Sequence, residues 1–99
     1  MLRVIHRSDH LIEKNAADGH ADHAAILQFL EERLINRTFE DRDALVSVMN
    51  EWPAFAAGDS RLKEHGSSTM RRMVFSDHNT IALSPGSHWP MDIAIIEEV

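Results

Sequence analysis

The 99-residue chain contains no cysteine. Disulfides, thiolate metal sites and a cysteine nucleophile are therefore excluded. The 4 glycines stand alone, so the sequence has neither a phosphate-binding loop nor a dinucleotide-binding fingerprint. The Gly-x-Ser-x-Gly elbow of serine hydrolases and the His-Glu-x-x-His pattern of zinc proteases are also missing. These absences favour a protein that is not an enzyme.

Long apolar runs and excess basic charge are missing as well. No run has the length of an export signal or a membrane span, so we expect a cytoplasmic protein with no membrane partner. The chain has 10 basic and 16 acidic side chains and a net charge of −6. Its basic pair, Arg71-Arg72, is too small for a phosphate-binding surface. This composition argues against nucleic acid as a partner.

The residues that are present suit one compact unit. Hydrophobic side chains make up 43% of the chain and charged ones 26%, as in an ordinary folded domain. A chain of this length can bury one hydrophobic core but not two. We therefore expect a single small domain over residues 1–99.

The first half of the sequence predicts one strand and two helices. The alternation from Leu2 to Arg7 is typical of a strand at or near a sheet edge. Residues 10–13 are interpreted as a short second strand or an irregular lead-in, and residues 15–19 as a break. Asp18 or Asp22 would cap the helix that follows, which ends near Arg37. Its apolar stripe, the clearest in the sequence, contains His23, Ile26, Leu27, Leu30 and Leu34, and Phe29 widens it.

The second helix is predicted to begin at Thr38, with Thr38 as N-cap and Asp41 three residues later. Leu45, Val48, Met49 and Trp52 form its apolar stripe. Pro53 should end or redirect it, and a peripheral helix is expected over residues 59–66. Only two residues separate the first two helical patterns, so an antiparallel helical hairpin is the simplest packing.

After Gly66 the hydrophobic period changes from helical to alternating. Three strands are predicted, over residues 69–76, 80–84 and 91–98, and they would form an antiparallel meander. The last strand is apolar on both faces, which indicates a central position or an interface. The predicted fold is an α+β two-layer sandwich in the order β-α-α-(α)-β-β-β, with the helical hairpin on a mostly antiparallel sheet.

A His/Asp cluster at the start of the first main helix is a candidate metal site. His20 and His23 lie three residues apart on one side of a helix, and Asp22 lies beside them, so together they would suit a divalent transition metal. No spacing in the chain specifies the remaining ligands. The other interpretations are a pH-sensing role and ordinary polar residues at a helix start.

An interaction surface is the other candidate. Trp89 lies beside His88 in a turn-rich loop next to a proline, where an aromatic side chain suits a protein interface. Glu40, Asp43 and Glu51 form an acidic outer face on the second helix that would suit a basic protein partner. The alternatives are a Trp89 that caps the sheet and an acidic face that is simply solvated.

The sequence therefore favours a non-enzymatic, acidic protein-interaction domain, such as an inhibitor or an immunity-type binding factor, that acts without a cofactor. Two alternatives stay open. One is a metal-binding or metal-dependent protein that uses His20, Asp22 and His23. The other is a structural subunit of a homo-oligomer in which the last strand pairs across chains.

Overall fold

The computed structural model describes residues 1–6, 11–19, 21–60, 72–76, 79–84 and 91–99. These residues form an antiparallel sheet with helices packed against it, which confirms the predicted α+β class. In chain order the elements are β1 (Leu2–His6), α1 (Leu11–Ala17), α2 (Ala21–Arg33), β2 (Thr38–Phe39), α3 (Arg42–Met49), α4 (Trp52–Gly58), β3 (Arg72–Phe75), β4 (Thr80–Ser84) and β5 (Met91–Glu98).

The sheet has the strand order β2-β1-β5-β4-β3, and all of its neighbouring strands are antiparallel. The last strand, β5, lies at the centre, as its apolar residues on both faces predicted. The first strand, β1, lies one position from the edge, beside the two-residue β2. The predicted positions of both strands are therefore confirmed.

The predicted meander is formed by β3, β4 and β5. The β3–β4 hairpin closes with a hydrogen bond from the Ser76 amide to the Thr80 carbonyl at 2.9 Å. Asn79 ends the loop in the left-handed conformation, with φ of 56°, as the last residue of a three-residue hairpin loop often does. Ile81 pairs with Ala94 and Ala82 with Asp92, so Ile93 is an extra residue that forms a β-bulge.

The stripe of α2 covers one face of this sheet. Ile26, Phe29 and Leu30 are buried, as is Leu34 just after the helix. Leu27 is only partly buried. Asn36, at φ of 62°, ends this region in the left-handed conformation, which asparagine tolerates better than most residues. The sheet contributes buried side chains to the same core, among them Val4, Met73, Ile81, Leu83 and Ala94.

Three aromatic rings join α2 to α4 within this core. The Phe29 ring packs edge-on against Trp52 and Phe55, with centroids 5.4 and 5.3 Å apart. Trp52 is only 1% exposed, yet its indole Nε1 has no hydrogen-bond partner among the described residues. Offset and edge-on rings attract one another beyond simple burial. This cluster connects the predicted helices, with Pro53 in the first turn of α4.

Two predictions for residues 10–19 are wrong. The segment interpreted as a second strand or lead-in starts the helix α1 at Leu11, although His10 lies outside the described residues. Asn15, Ala16 and Ala17 continue α1 rather than break the chain. The break comes at Gly19, whose φ of 94° suits only a residue without a side chain.

The predicted start of the second helix is also wrong. Thr38 lies in β2 and pairs with Arg3 of β1, so it does not cap a helix. The N-cap of α3 is Asp41, whose carboxylate accepts a hydrogen bond from the Ala44 amide at 2.9 Å. Helices α3 and α4 therefore replace the single predicted helix. Of the peripheral helix expected over residues 59–66, residues 61–66 lie outside the described part of the chain.

Helix length bears on the expected lack of a membrane span. Among the residues that the structure describes, no helix is long and apolar enough to cross a bilayer.

Truncation of Trp52 should be one of the most destabilising core changes. We expect Trp52→Ala to lower the free energy of unfolding by about 3–5 kcal/mol, because it leaves a cavity between α2 and α4. Trp52→Phe should cost less than about 1.5 kcal/mol, because it keeps a ring and removes the unpaired indole donor. Urea denaturation of both variants measures the difference, and equal losses would contradict the packing described.

The N-cap of α3 can be tested by comparing Asp41 with Thr38, the N-cap that the sequence predicted. Asp41→Ala should lower the free energy of unfolding by about 0.5–2 kcal/mol, because the Ala44 amide loses its acceptor. Thr38→Ala should cost about 0.5 kcal/mol or less, because Thr38 is exposed and caps nothing. The same denaturation assay compares the two, and a larger loss for Thr38→Ala would contradict this assignment of the cap.

Candidate functional site

The strand β3 forms one edge of the sheet, with β4 on its other side. Backbone groups along an antiparallel strand point alternately to either side. Since the Ser76 amide bonds to Thr80 in β4, the peptide groups of Val74 also point to β4. The peptide groups of Met73 and Phe75 therefore point away from the sheet, and no strand in the described ranges pairs with them.

A groove of 580 Å³ runs beside this edge. We call it the β3 groove, and define it by Val46, Met49, Asn50, Pro53, Arg72, Met73, Val74 and Phe75. Positions 46, 49, 50 and 53 follow the helical spacing of three to four residues, so α3 and the start of α4 contribute one continuous wall. Residues 72–75 are the whole of β3 and form the opposite wall.

The β3 groove is chemically simple. Of the side chains on its helix-covered side, Met49 and Met73 are buried, and Val46 and Phe75 are half-buried. Among the described lining residues, Arg72 is charged and Asn50 is the other polar one. The described lining is therefore mainly apolar, which suits it to binding.

A second, smaller pocket of 380 Å³ adjoins the β3 groove at Phe75. Its lining residues are Met1, Leu2, Glu40, Asp41, Arg42, Phe75, Asn79, Ile96 and Glu98. The Arg42 guanidinium lies 4.3 Å from the centre of the Phe75 ring, close enough for a cation–π interaction. Arg42 and Phe75 therefore separate the apolar β3 groove from a pocket that carries three carboxylates.

Of the three acidic residues predicted to form one face, Glu40 and Asp43 lie at the start of α3 and Glu51 lies just after its end. Glu40 lines the smaller pocket, and Asp43 is exposed in the first turn of α3. Glu51 lies between α3 and α4, where its Oε1 accepts a hydrogen bond from Arg33 Nη1 at 2.8 Å. The charge of Glu51 is thus partly neutralised, whereas Glu40 and Asp43 have no such ion pair among the described residues. Their role in binding a basic partner stays a prediction.

The other predicted site residues lie largely outside the described part of the chain. Trp89, His88 and His20 are outside it, and the side chain of Asp22 is not described. His23 is half-buried on α2. Within the described ranges, no group of three or more His, Asp or Glu residues is placed to hold a metal ion. Both the Trp89 surface and the metal cluster therefore stay predictions.

Sequence reasoning did not identify the residues of the β3 groove as a site. The sequence predicts Met49 only as part of the apolar stripe of the second helix, and Met73 and Phe75 only as residues of a strand. The one available signal was the central position predicted for the last strand. If the last strand of the meander lies at the centre of the sheet, the first strand of the meander, β3, must lie at an edge.

Comparison with known proteins identifies no relative. No family model matches the chain, and no curated protein or solved structure is significantly similar to it.

The contact between Arg42 and Phe75 can be measured with a double-mutant cycle. We expect a coupling free energy of about 0.5–1 kcal/mol between Arg42→Gln and Phe75→Leu, since the cation–π contact is partly exposed. Urea denaturation of the single and double variants gives this value. The matched cycle of Arg42→Gln with Phe55→Leu should give about zero, because Phe55 packs on Phe29 and Trp52 instead. Equal coupling in both cycles would contradict a specific contact.

Proposed function

We propose that this chain is a non-enzymatic protein-interaction domain of the cytoplasm that binds an extended segment of another protein along β3. The observation that carries the proposal is the outward-facing backbone of Met73 and Phe75 beside the apolar β3 groove. An extended segment can add to such an edge as a further strand, with main-chain hydrogen bonds for affinity and pockets for alternate side chains.

The chemistry of the edge supports binding in two ways. The outward N–H and C=O groups of Met73 and Phe75, with which no described strand pairs, match the backbone of an incoming strand. Beside them, Val46, Met49 and Phe75 supply apolar surface for every second side chain of that strand. Long unprotected edges are also sites of unwanted pairing. The described part of this edge, Arg72–Phe75, includes a charged residue, which restricts the partners that it accepts.

Two more specific roles rest on the same surface. An inhibitor or an immunity-type factor would use the β3 groove to occupy its target, and a small acidic domain without catalytic motifs suits either role. A basic partner would in addition contact Glu40 and Asp43, which lie around the start of α3 next to the smaller pocket.

The homo-oligomer alternative has less of β5 available than the sequence suggests. Strand β5 pairs with β1 from Ala94 to Glu98 and with β4 from Met91 to Ile95. Pairing of β5 across chains would therefore be limited to its ends, whereas one whole side of β3 pairs with no described strand.

Affinity capture with matched variants tests the proposal. The full chain is immobilised, exposed to native lysate, and the retained proteins are identified by mass spectrometry. We expect one protein to be retained by the wild type and lost from Val46→Gln, which places a polar group in the β3 groove. Ser47→Gln is the matched control, because Ser47 is exposed on α3 and does not line the groove. It should retain the partner.

Two results would contradict the proposal. Equal retention by Val46→Gln and Ser47→Gln would move the binding surface away from the β3 groove. Retention of nothing, together with turnover in a hydrolase screen, would identify an enzyme instead. Thermal unfolding of both variants shows that any loss of binding does not come from loss of the fold.

A further inference from the structure

We infer that the segment bound at β3 carries a carboxylate opposite Arg72 and apolar side chains opposite Met73 and Phe75. This inference rests on the proposed function and adds the chemical class of the partner. It follows from the faces on which the β3 side chains lie and from the charge at the edge.

Side chains along β3 alternate between the two faces of the sheet. Met73 and Phe75 lie on the face that the helices cover, where Met73 is 6% exposed and Phe75 packs against the core. Arg72 and Val74 therefore lie on the opposite face. A strand added beside β3 would have its side chains sorted in the same way, so every second one would enter the β3 groove. Apolar residues suit those positions.

Arg72 sets the preference on the opposite face. Its side chain is exposed, and in the part of the chain that the structure describes it forms no ion pair. Opposite charges directly across two antiparallel strands attract, and like charges repel. A carboxylate opposite Arg72 therefore binds better than a neutral or basic residue. A β-branched residue suits the position opposite Val74.

A second copy of β3 fits this edge less well than an acidic segment. The residues from Arg72 to Ser76 include no carboxylate. Two copies of β3 could pair antiparallel, with Met73 of each copy opposite Phe75 of the other. Arg72 would then face Ser76 of the other copy. Both arginines would then lack a counter-charge. The charge at the edge therefore favours a different chain that supplies Asp or Glu.

Peptide selection on the full chain tests the inference directly. Phage-displayed twelve-residue random peptides are selected against the wild type, Arg72→Glu and Arg37→Glu. We expect peptides that bind the wild type to have apolar residues at every second position. Asp or Glu should occupy a position directly beside one of these apolar residues. The Arg72→Glu variant should select Lys or Arg there instead. Arg37→Glu is the control of equal charge change, since Arg37 lies just before β2, which forms the other edge of the sheet.

Affinities of one selected peptide sharpen the result. Fluorescence anisotropy should show binding to Arg72→Glu about tenfold weaker than to the wild type, because an attractive pair becomes a repulsive one. N-methylation of single peptide amides should weaken binding about tenfold at every second residue, where the amide faces β3. The residues between them should tolerate the methyl group, because their amides point away from β3. Arg37→Glu should bind as the wild type does.

The remaining outcomes separate the inference from the proposed function. Apolar binders that show the alternating N-methyl pattern but no acidic preference would overturn the inference and leave the proposed function standing. A wild-type dimer in sedimentation that competes with the peptide would assign the edge to a second copy and overturn the inference. If no peptide binds, or if binding is insensitive to N-methylation, the edge does not accept a strand, and both proposals are wrong.

Discussion

The pairing of β5 with β1 and β4 is the interaction on which the rest of the structure depends. It joins the first strand of the chain to the last hairpin, with Leu2 opposite Glu98 and His6 opposite Ala94. The helices lie between these strands in sequence, and they find a continuous apolar face only once β5 has joined the two parts of the sheet. Contacts between residues so distant in sequence slow folding, because the chain must lose loop-closure entropy before they form. The central strand thus completes the core and also leaves β3 at an edge.

Much of this fold could be predicted from the sequence, because hydrophobic periodicity records which face of an element is buried. The strands β4 and β5 were predicted with the bounds that the structure has. The buried residues of the α2 stripe were also predicted, but the helix ends at Arg33 and not near Arg37. Shorter signals were less informative. The two-residue strand β2 is too short to have a period, and its pairing with β1 could not be predicted from Thr38 and Phe39 alone. Asp41 and Thr38 are both good caps, and only the tertiary position of β2 decides between them.

The candidate site was less predictable than the fold for a physical reason. The β3 groove forms where a helix wall around Val46 approaches a strand that begins at Arg72, so two segments far apart in sequence must be brought together. Neither segment contains an unusual residue. Motifs of catalysis or metal binding stand out in a sequence because the chemistry demands particular side chains. A strand edge binds through peptide groups, which every residue possesses, and its position in the sheet is what makes it available.

Because of the β-bulge at Ile93, the correct placement of the central strand depends on its number of residues. Asp92 lies on one face of the sheet. Because Ile93 is an extra residue, the alternation of faces breaks after Asp92, and Ile93 and Ala94 are both buried. The strand therefore consists of two stretches of opposite phase. Loss or gain of one residue here would exchange the inner and outer faces of one stretch. The number of residues in β5 is therefore constrained, because it sets which face of each stretch is buried.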